Sequence, residues 1–230
     1  MTADVVFLLD VDNTLLDNDR IVADLRRHLE SEFGVASSDR YWTIFEALRG
    51  ELGYADYLGA LQRYRHDAEH GGADDQRLLL MSGFLVDYPF ADRLYPRALE
   101  VIAQLNRRGP TVILSDGDVV FQPRKVQRSG LWDATGGRVL IYIHKERMLD
   151  AVQRHYPARR YVMIDDKQRI LTAMKEVLSE RLVTVFARQG HYAFDPANID
   201  RYPPADIAVE HIGDLLESDT ATRLDVSTQE

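Results

Sequence analysis

The sequence predicts an α/β fold, a Rossmann-like parallel sheet with helices on both faces plus an inserted helical-bundle cap. Three observations predict it. Short apolar runs of strand length recur in the second half of the chain and alternate with segments of helical periodicity, which is typical of parallel βαβ units. One further run, Val5 to Leu9, stands alone near the start. Between these two parts, at about residues 16–92, apolar residues recur at helical spacing without a strand pattern.

The first run, VVFLL, predicts a strand buried on both faces, because five consecutive apolar residues leave no polar face. In the inserted part, Ile21, Leu25, Leu29 and Phe33 step by four residues, and Gly34 follows them. Three more amphipathic segments are expected at about 41–52, 57–64 and 78–86, with breaks at 34–39, 50–53 and 69–74. Four such helices joined by short turns predict a small bundle.

After Pro96 the pattern changes to alternating helices and strands. Strands are expected at 111–114, 138–143 (buried), 160–164, 182–186 and 205–209, and helices at about 99–105, 121–129, 145–155 and 167–180, with a short one ending near 217. The resulting domain prediction is a Rossmann-like core at 1–15 and 93–217, a helical cap at 16–92, and a polar, flexible tail at 218–230. An insert that leaves the carboxyl end of a central strand lies over the edge where such sheets bind ligands.

Composition excludes several classes of protein. The chain of 230 residues has a net charge of −9, which disfavours a nucleic-acid partner, because neutralising phosphates requires a basic surface. It has no cysteine, so disulfides, thiolate nucleophiles and zinc–sulfur sites are excluded. No apolar stretch is long enough for a membrane span, and the initial run is broken by Asp10 without a basic leader. These features predict a soluble, cytoplasmic protein that binds no membrane, and they leave its oligomeric state open.

Two carboxylates follow the first strand. Asp10 and Asp12 are two positions apart, so in an extended segment their side chains point the same way, and Thr14 follows them. Two such charges repel unless a cation or a shared proton intervenes. A strand ending in Asp-x-Asp-x-Thr resembles the first motif of the haloacid dehalogenase-like superfamily, most of whose members are Mg²⁺-dependent phosphatases. The resemblance also implies a mobile cap, inserted after this strand, that selects the substrate.

Three later strand ends resemble the remaining motifs of that superfamily. Ser115, in the turn after the second strand, resembles the second motif, and its hydroxyl and the N–H of Asp116 could hold phosphate oxygens. Lys145, after the 138–143 strand, resembles the lysine of the third motif. Lys125 is its competitor and is disfavoured, because it lies well along a helix among charged neighbours. The adjacent acids in VMIDD resemble the fourth motif.

The resemblance implies a role for each matched residue. Asp10 would be the nucleophile, Asp12 the acid and base, and Lys145 and Ser115 the groups that stabilise the added charge. Mg²⁺ would be held by Asp10, the Asp12 backbone carbonyl and Asp166, with Asp165 in support. Thr14 would orient Asp12 or only cap the turn. Where the family often has Ser and a further acid, this chain has Lys167, Gln168 and Arg169, a departure at the surroundings of the metal.

The function implied is hydrolysis of a small phosphorylated metabolite. An acid at position 12 suits phosphate esters, whereas the branches that cleave carbon–halogen and carbon–phosphorus bonds lack it. Two alternatives stay open: transfer of the phosphoryl group to a sugar hydroxyl by a phosphotransferase or phosphomutase, and a non-catalytic phospho-ligand binding or receiver-like switch protein.

Three other groups of residues are assigned minor roles. His66 and His70, spaced i, i+4, are expected at the solvated surface, because no third ligand lies near them in sequence. The segment 49–54 is expected to be an ordinary turn between helices, with a loop that dips toward the substrate as the alternative. Residues 17–19 are expected to cap a helix or form the hinge between core and cap.

Overall fold

The protein is described by a computed structural model that covers residues 2–67, 75–217, 219–220 and 224, with the side chains of 75–77 left out. Six parallel strands form one sheet in the order β3-β2-β1-β4-β5-β6. Their bounds are β1 Ala3–Leu9, β2 Thr111–Asp116, β3 Val139–Tyr142, β4 Ala158–Asp165, β5 Leu182–Ala187 and β6 Ile207–Val209. β1 lies between β2 and β4, so the carboxyl ends of these three strands are neighbours.

Helices and short 3₁₀ turns connect the strands. The α-helices are α1 Asn18–Phe33, α2 Val35–Leu52, α3 Tyr57–Arg65, α4 Asp75–Asp87, α5 Ala98–Asn106, α6 Phe121–Arg128, α7 Leu131–Ala134, α8 Leu149–His155, α9 Gln168–Leu178 and α10 Pro196–Ile199. The predicted α/β fold with a parallel sheet is confirmed. No described helix is long and apolar enough to cross a bilayer.

Both faces of the sheet are covered, as its continuous apolar runs predict. Along β1 the side chains alternate between two buried clusters, with Phe7 and Leu9 in one and Val6 and Leu8 in the other. The first cluster continues into α1–α4, so the helices that follow β1 share a core with one face of the sheet. The rings of Tyr57 and Phe121, 5.1 Å apart, lie within this contact.

Several predicted boundaries are wrong. The break expected at 34–39 is a single residue, because Gly34 adopts φ +84° and α2 begins at Val35. The break expected at 50–53 begins only at Gly53, since Gly50 stays helical and Gly53 ends α2 in the left-handed conformation. The breaks expected at 69–74 lie outside the described residues, as does most of the segment predicted as a flexible tail, 218–230.

Two expectations near β3 also fail. The strand is half-buried rather than buried, because it forms an edge of the sheet, and Ile143 beyond it is 49% exposed. The helix expected over 145–155 is interrupted: a 3₁₀ turn, Lys145–Arg147, precedes α8. The N–H of Lys145 donates to Oδ1 of Asp116 at 2.7 Å, which holds this segment in a turn against the end of β2.

The two connections between the sheet and α1–α4 run side by side. The N–H of Tyr95 donates to the carbonyl of Leu15 at 2.9 Å, and the N–H of Asp17 donates to the carbonyl of Arg93 at 2.8 Å. The Asp17 side chain also caps α1 by accepting from the N–H of Arg20, as predicted. Helices α1–α4 are therefore joined to the sheet through one paired two-chain connection.

A partly buried ion pair supports this connection from the α1 side. Asp24 accepts from Arg93 Nη2 at 2.8 Å and from the Tyr88 hydroxyl. Burial raises the pKa of Asp24, but the hydrogen bonds from Tyr88, Arg93 and Arg27 outweigh it and lower that pKa to about 2. The carboxylate is therefore favoured in the folded state.

We expect Asp24→Asn to destabilise the protein by about 1–3 kcal/mol, as for hydrogen bonds to charged groups. A carboxyl with a lowered folded pKa contributes stability above its unfolded pKa, and that contribution is lost as the pH falls through about 4 to about 2. Urea denaturation at pH 7 and pH 2.5 checks this: the difference between wild type and variant should shrink at the lower pH. An undiminished difference would contradict the assigned ion pair. Exposed Asp133→Asn is the control.

Candidate active site

The predicted site residues meet at the carboxyl edge of the sheet. Asp10 follows β1, Ser115 and Asp116 end β2, and Asp165 and Asp166 lie at the end of β4. Lys145 begins the 3₁₀ turn after β3. Because β1 lies between β2 and β4, acids that are far apart in sequence face one another there.

Lys145 contacts two of the acids at this edge, Asp10 and Asp165. It is 1% exposed, and its Nζ donates to Oδ1 of Asp10 and lies 2.7 Å from Oδ2 of Asp165. Burial lowers the pKa of Lys145, but Asp10, Asp165 and Asp116 raise it more, so the net shift is upward and the ammonium is retained. Thr14 donates to Oδ2 of Asp10 at 3.4 Å, so its hydroxyl faces Asp10 rather than Asp12.

Asp10, Asp165 and Asp166 bring carboxylate oxygens within 4.8 Å of one another, and all three are buried. Neither side-chain oxygen of Asp166 has a hydrogen-bond partner among the described residues. Burial raises the pKa of Asp165 to about 6, although Lys145 opposes it, and burial also raises the pKa of Asp166. A buried acid without hydrogen-bond partners is costly, and Asp166 is such an acid, so this cluster fits a hard divalent cation that takes oxygen ligands.

The carboxylate of Asp12 points elsewhere. Its Oδ1 accepts from Lys125 Nζ at 2.6 Å, and its Oδ2 lies 3.5 Å from Gln122 Nε2. The Asp12 carboxylate does not belong to the acid cluster found among the described residues. Its separation from Asp10, Asp165 and Asp166 leaves it available for a different role.

Lys125, which the sequence disfavours as the lysine of the third motif, also lies at the site, next to a different acid from the one that Lys145 contacts. Lys145 pairs with Asp10, whereas Lys125, 1% exposed, pairs with Asp12 and donates to Oδ1 of Asn18 at 3.0 Å. Gln122 was missed altogether, and its Nε2 donates to Oγ of Ser115 at 2.9 Å. Residues 122 and 125 are spaced i, i+3, so the sequence places them on one face of α6, but that spacing alone does not show that this face is buried.

A cavity of about 700 Å³ opens beside Asp12, between the sheet edge and helices α1–α3. Its walls include Asp12, Asp116, Gln122 and Lys167 from the sheet side and many aromatic side chains, namely Trp42, Phe45, Tyr54, Tyr57, Phe121 and Tyr192. A site of this size admits a small organic molecule.

The end of α2 lies close to residues on the opposite side of the cavity. Arg49 donates to the Tyr192 hydroxyl at 2.5 Å, and Gly53 is so near the His144 ring that an added Cβ would lie 3.0 Å from Nε2. Most of segment 49–54 is helical rather than a turn, and Arg49, Gly53 and Tyr54 line the cavity. No sequence pattern predicted that Tyr192 lines the cavity, because it lies in a short 3₁₀ turn after β5.

Residues near the start of α1 also reach the site. Oδ1 of Asn13 accepts from the N–H groups of Asn18 and Asp19, which caps the helix, and Asp19 pairs with His191 at 2.6 Å. The Tyr57 side chain is hydrogen-bonded to Asn18. Burial, and to a smaller extent the charge of Asp12, raise the pKa of Tyr57, so its hydroxyl keeps its proton. His66 is exposed, as predicted, whereas His70 lies outside the described residues.

Comparisons with known proteins agree with this geometry. A family model described as haloacid dehalogenase-like hydrolase matches residues 5–177. A haloacid dehalogenase-like hydrolase from Burkholderia xenovorans LB400, so described in its crystal structure, is 66% identical, with 96% of this chain and 99% of that chain covered and a TM-score of 0.89. A search of curated proteins found no match.

Two more distant structures share the fold. The HAD-hydrolase YfnB from Bacillus subtilis, solved bound to magnesium, is 17% identical, with coverage of 93% and 97% and a TM-score of 0.61. L-2-haloacid dehalogenase from Xanthobacter autotrophicus is 20% identical, with coverage of 94% and 97% and a TM-score of 0.56. The family match over most of the chain, together with the acids at the ends of β1 and β4, shows that this protein belongs to the haloacid dehalogenase-like hydrolases.

Proposed function

We propose that this protein is a Mg²⁺-dependent phosphatase that hydrolyses a small phosphorylated metabolite through an aspartyl-phosphate intermediate. The observation that carries this proposal is the position of Asp12. Its carboxylate lines the cavity, stands apart from the acid cluster and is held by Lys125. A second carboxyl of this kind can protonate the leaving oxygen of an ester, a step that halide departure does not need.

The cation is proposed to lie among Asp10, Asp165 and Asp166. The orphaned oxygens of buried Asp166 support this placement, and hard oxygen ligands suit Mg²⁺. When bound, Mg²⁺ would neutralise charge on the phosphate and on the acids around it. Asp165 stands among the ligands in this proposal, as one of the metal-site residues that the resemblance implies, because one of its oxygens belongs to the same cluster.

The chain's own residues perform the chemistry. Asp10 attacks the phosphorus atom, and the bond to the leaving oxygen breaks as Asp12 donates its proton to that oxygen. Asp12, now ionised, then takes a proton from the water that hydrolyses the aspartyl phosphate. Lys145 opposes the repulsion between the Asp10 carboxylate and the phosphate, which amounts to about 4 kcal/mol per charge pair at 4 Å and an effective dielectric of 20. Ser115 and the N–H of Asp116 hold phosphate oxygens.

The test compares two leaving groups on the purified protein. We expect phosphate release from p-nitrophenyl phosphate with MgCl₂, its loss with EDTA and recovery on adding Mg²⁺, and no chloride release from 2-chloropropionate. Chloride release without phosphate release would overturn the phosphatase proposal in favour of dehalogenation. Incubation with glucose phosphates separates hydrolysis from phosphoryl transfer, since transfer makes a new phosphate ester without free phosphate. The absence of nucleic-acid and membrane partners stays a prediction.

A further inference from the structure

The lysine that contacts Asp12 comes from a helix to which the phosphatase chemistry assigns no role. Lys125 lies in the second turn of α6, a helix of mainly charged and polar residues. Arg124 and Arg128 on the same helix reach out to Asp87 and are more than a third exposed. Lys125 instead turns inward and is 1% exposed. Burying an ammonium costs free energy unless it is paired with a negative charge or hydrogen-bond acceptors, so the partners of Lys125 indicate its role.

The ammonium of Lys125 interacts with three residues in the described part of the chain. It donates to Asp12 Oδ1 at 2.6 Å and to Asn18 Oδ1 at 3.0 Å, and it lies 5.4 Å from the centre of the Phe121 ring. Asn18 is the first residue of α1, where the chain leaves the sheet. Lys125 therefore connects Asp12 to both α6 and the start of α1.

This contact distinguishes the two oxygens of Asp12. Oδ1 is engaged by the ammonium, whereas the contact of Oδ2 with Gln122 Nε2 is long, at 3.5 Å. The Asp12 side chain is 28% exposed and lines the cavity. Because Lys125 holds Oδ1, Oδ2 is the oxygen of Asp12 that is left without a short hydrogen bond among the described residues. The nearby Gln122 also donates to Ser115, so α6 positions Asp12 and Ser115 together.

We propose that Lys125 is a positioning residue for the acid step: it fixes the Asp12 carboxyl so that Oδ2 presents its proton to the leaving oxygen of the substrate. The inference rests on the proposed phosphatase function, because only ester cleavage needs that proton. It predicts that loss of Lys125 affects substrates in proportion to how much their leaving groups need protonation. A lysine that only neutralised charge in the fold would affect all substrates alike.

The experiment measures kcat/KM for Lys125→Met on a series of phosphate monoesters, because this parameter reports the steps up to departure of the leaving group. The series runs from p-nitrophenyl phosphate, whose leaving group needs little protonation, through phenyl phosphate to an alkyl phosphate. We expect a loss of about 10–100-fold for the alkyl ester, within the usual contribution of general acids, and only a few-fold for p-nitrophenyl phosphate. KM for p-nitrophenyl phosphate should change little.

Two further variants complete the comparison. Arg128→Met removes a cation from the exposed side of the same helix and should leave the whole series unchanged. Asp12→Asn should reproduce the selective loss, and Asp12→Asn with Lys125→Met should lose little more than Asp12→Asn alone, since the two residues act in one step. If Lys125→Met does not fold, as judged by circular dichroism, Lys125→Gln replaces it, because the shorter glutamine side chain does not reach Asp12.

The outcomes separate the inference from the proposed function. A steeper dependence on the leaving group in Lys125→Met, together with a displaced Asp12 carboxyl in its crystal structure, supports the inference. An equal loss across the series, or no loss, overturns the inference while the phosphatase function stands. If the wild-type protein releases phosphate from none of these esters, the phosphatase function itself is wrong and the role of Lys125 falls with it.

Discussion

Replacing Asp10 with asparagine is expected to abolish phosphate release, lowering kcat by about 10⁴-fold or more, because it removes the nucleophile of a two-step reaction. The side chain is 4% exposed, it lies against Lys145, and its Oδ2 accepts from Thr14. Asparagine has nearly the same shape but cannot form an acyl phosphate. The fold should therefore survive while the chemistry stops.

The matched control is Asp4→Asn, the same change on the same strand at its opposite end, where the carboxylate faces solvent beside Arg159. It should leave kcat unchanged. Rapid acid quenching of the wild-type protein with substrate, followed by mass spectrometry of its peptides, should find the phosphoryl group on the peptide that contains Asp10. Full activity in Asp10→Asn, or a phosphoryl group on another residue, would rule out the proposed nucleophile.

Asp166→Asn is expected to change stability in opposite directions with and without the cation. Burial raises the pKa of Asp166, so the folded state binds this proton more tightly than the unfolded chain does. Without metal, such a group makes the protein less stable as the pH rises above its unfolded pKa of about 3.9. Asparagine removes this dependence. In EDTA at pH 7.5 the variant should be more stable than wild type by about 1–2 kcal/mol, because burying a neutral amide costs less free energy than burying an ionised carboxylate.

With Mg²⁺ the order should reverse. A ligand at 100 times its Kd stabilises the folded state by about 2.7 kcal/mol, and the variant should lose most of that gain because it lacks one carboxylate of the cluster. Thermal unfolding at pH 5 and pH 7.5, with EDTA or MgCl₂, measures both effects, and isothermal titration calorimetry gives the affinity without any assay of activity. Exposed Asp133→Asn should follow wild type throughout. Equal stabilisation of Asp166→Asn and wild type by Mg²⁺ would remove Asp166 from the metal site.

The sequence predicts the residues at strand ends well. Asp10, Ser115 and Asp165 each follow or end an apolar run, and the carboxyl ends of parallel strands share one edge, so their convergence follows from the fold class. Lys145 could be placed in the same way, since it comes directly after β3. The half-burial of β3 could not be predicted, because an apolar run looks the same in sequence whether the strand is at the edge or in the centre of the sheet.

Contacts made by helices and irregular segments were harder to predict. Lys125 on α6 has the same charge as the exposed arginines on that helix and similar neighbours in sequence. Its direction toward Asp12 depends on how α6 packs, with the Phe121 ring against the rings of Phe90 and Tyr57. Helical periodicity predicts that α2 and α3 are amphipathic without showing which aromatic residues border a cavity. Tyr192 meets Arg49 across 143 positions of sequence, and no local pattern encodes such a contact.

By itself, then, the sequence determined the parallel α/β sheet and the acids and the lysine at its carboxyl edge. The apolar runs locate the strands, and these residues come at or after the ends of the strands along the chain. The tertiary structure alone decided that neither oxygen of Asp166 has a partner in the described part of the chain, that Asp12 pairs with Lys125, and which side chains line the cavity above them. The physical reason is that side-chain pairing and burial depend on how separate elements pack against one another, and that packing is a property of the whole chain.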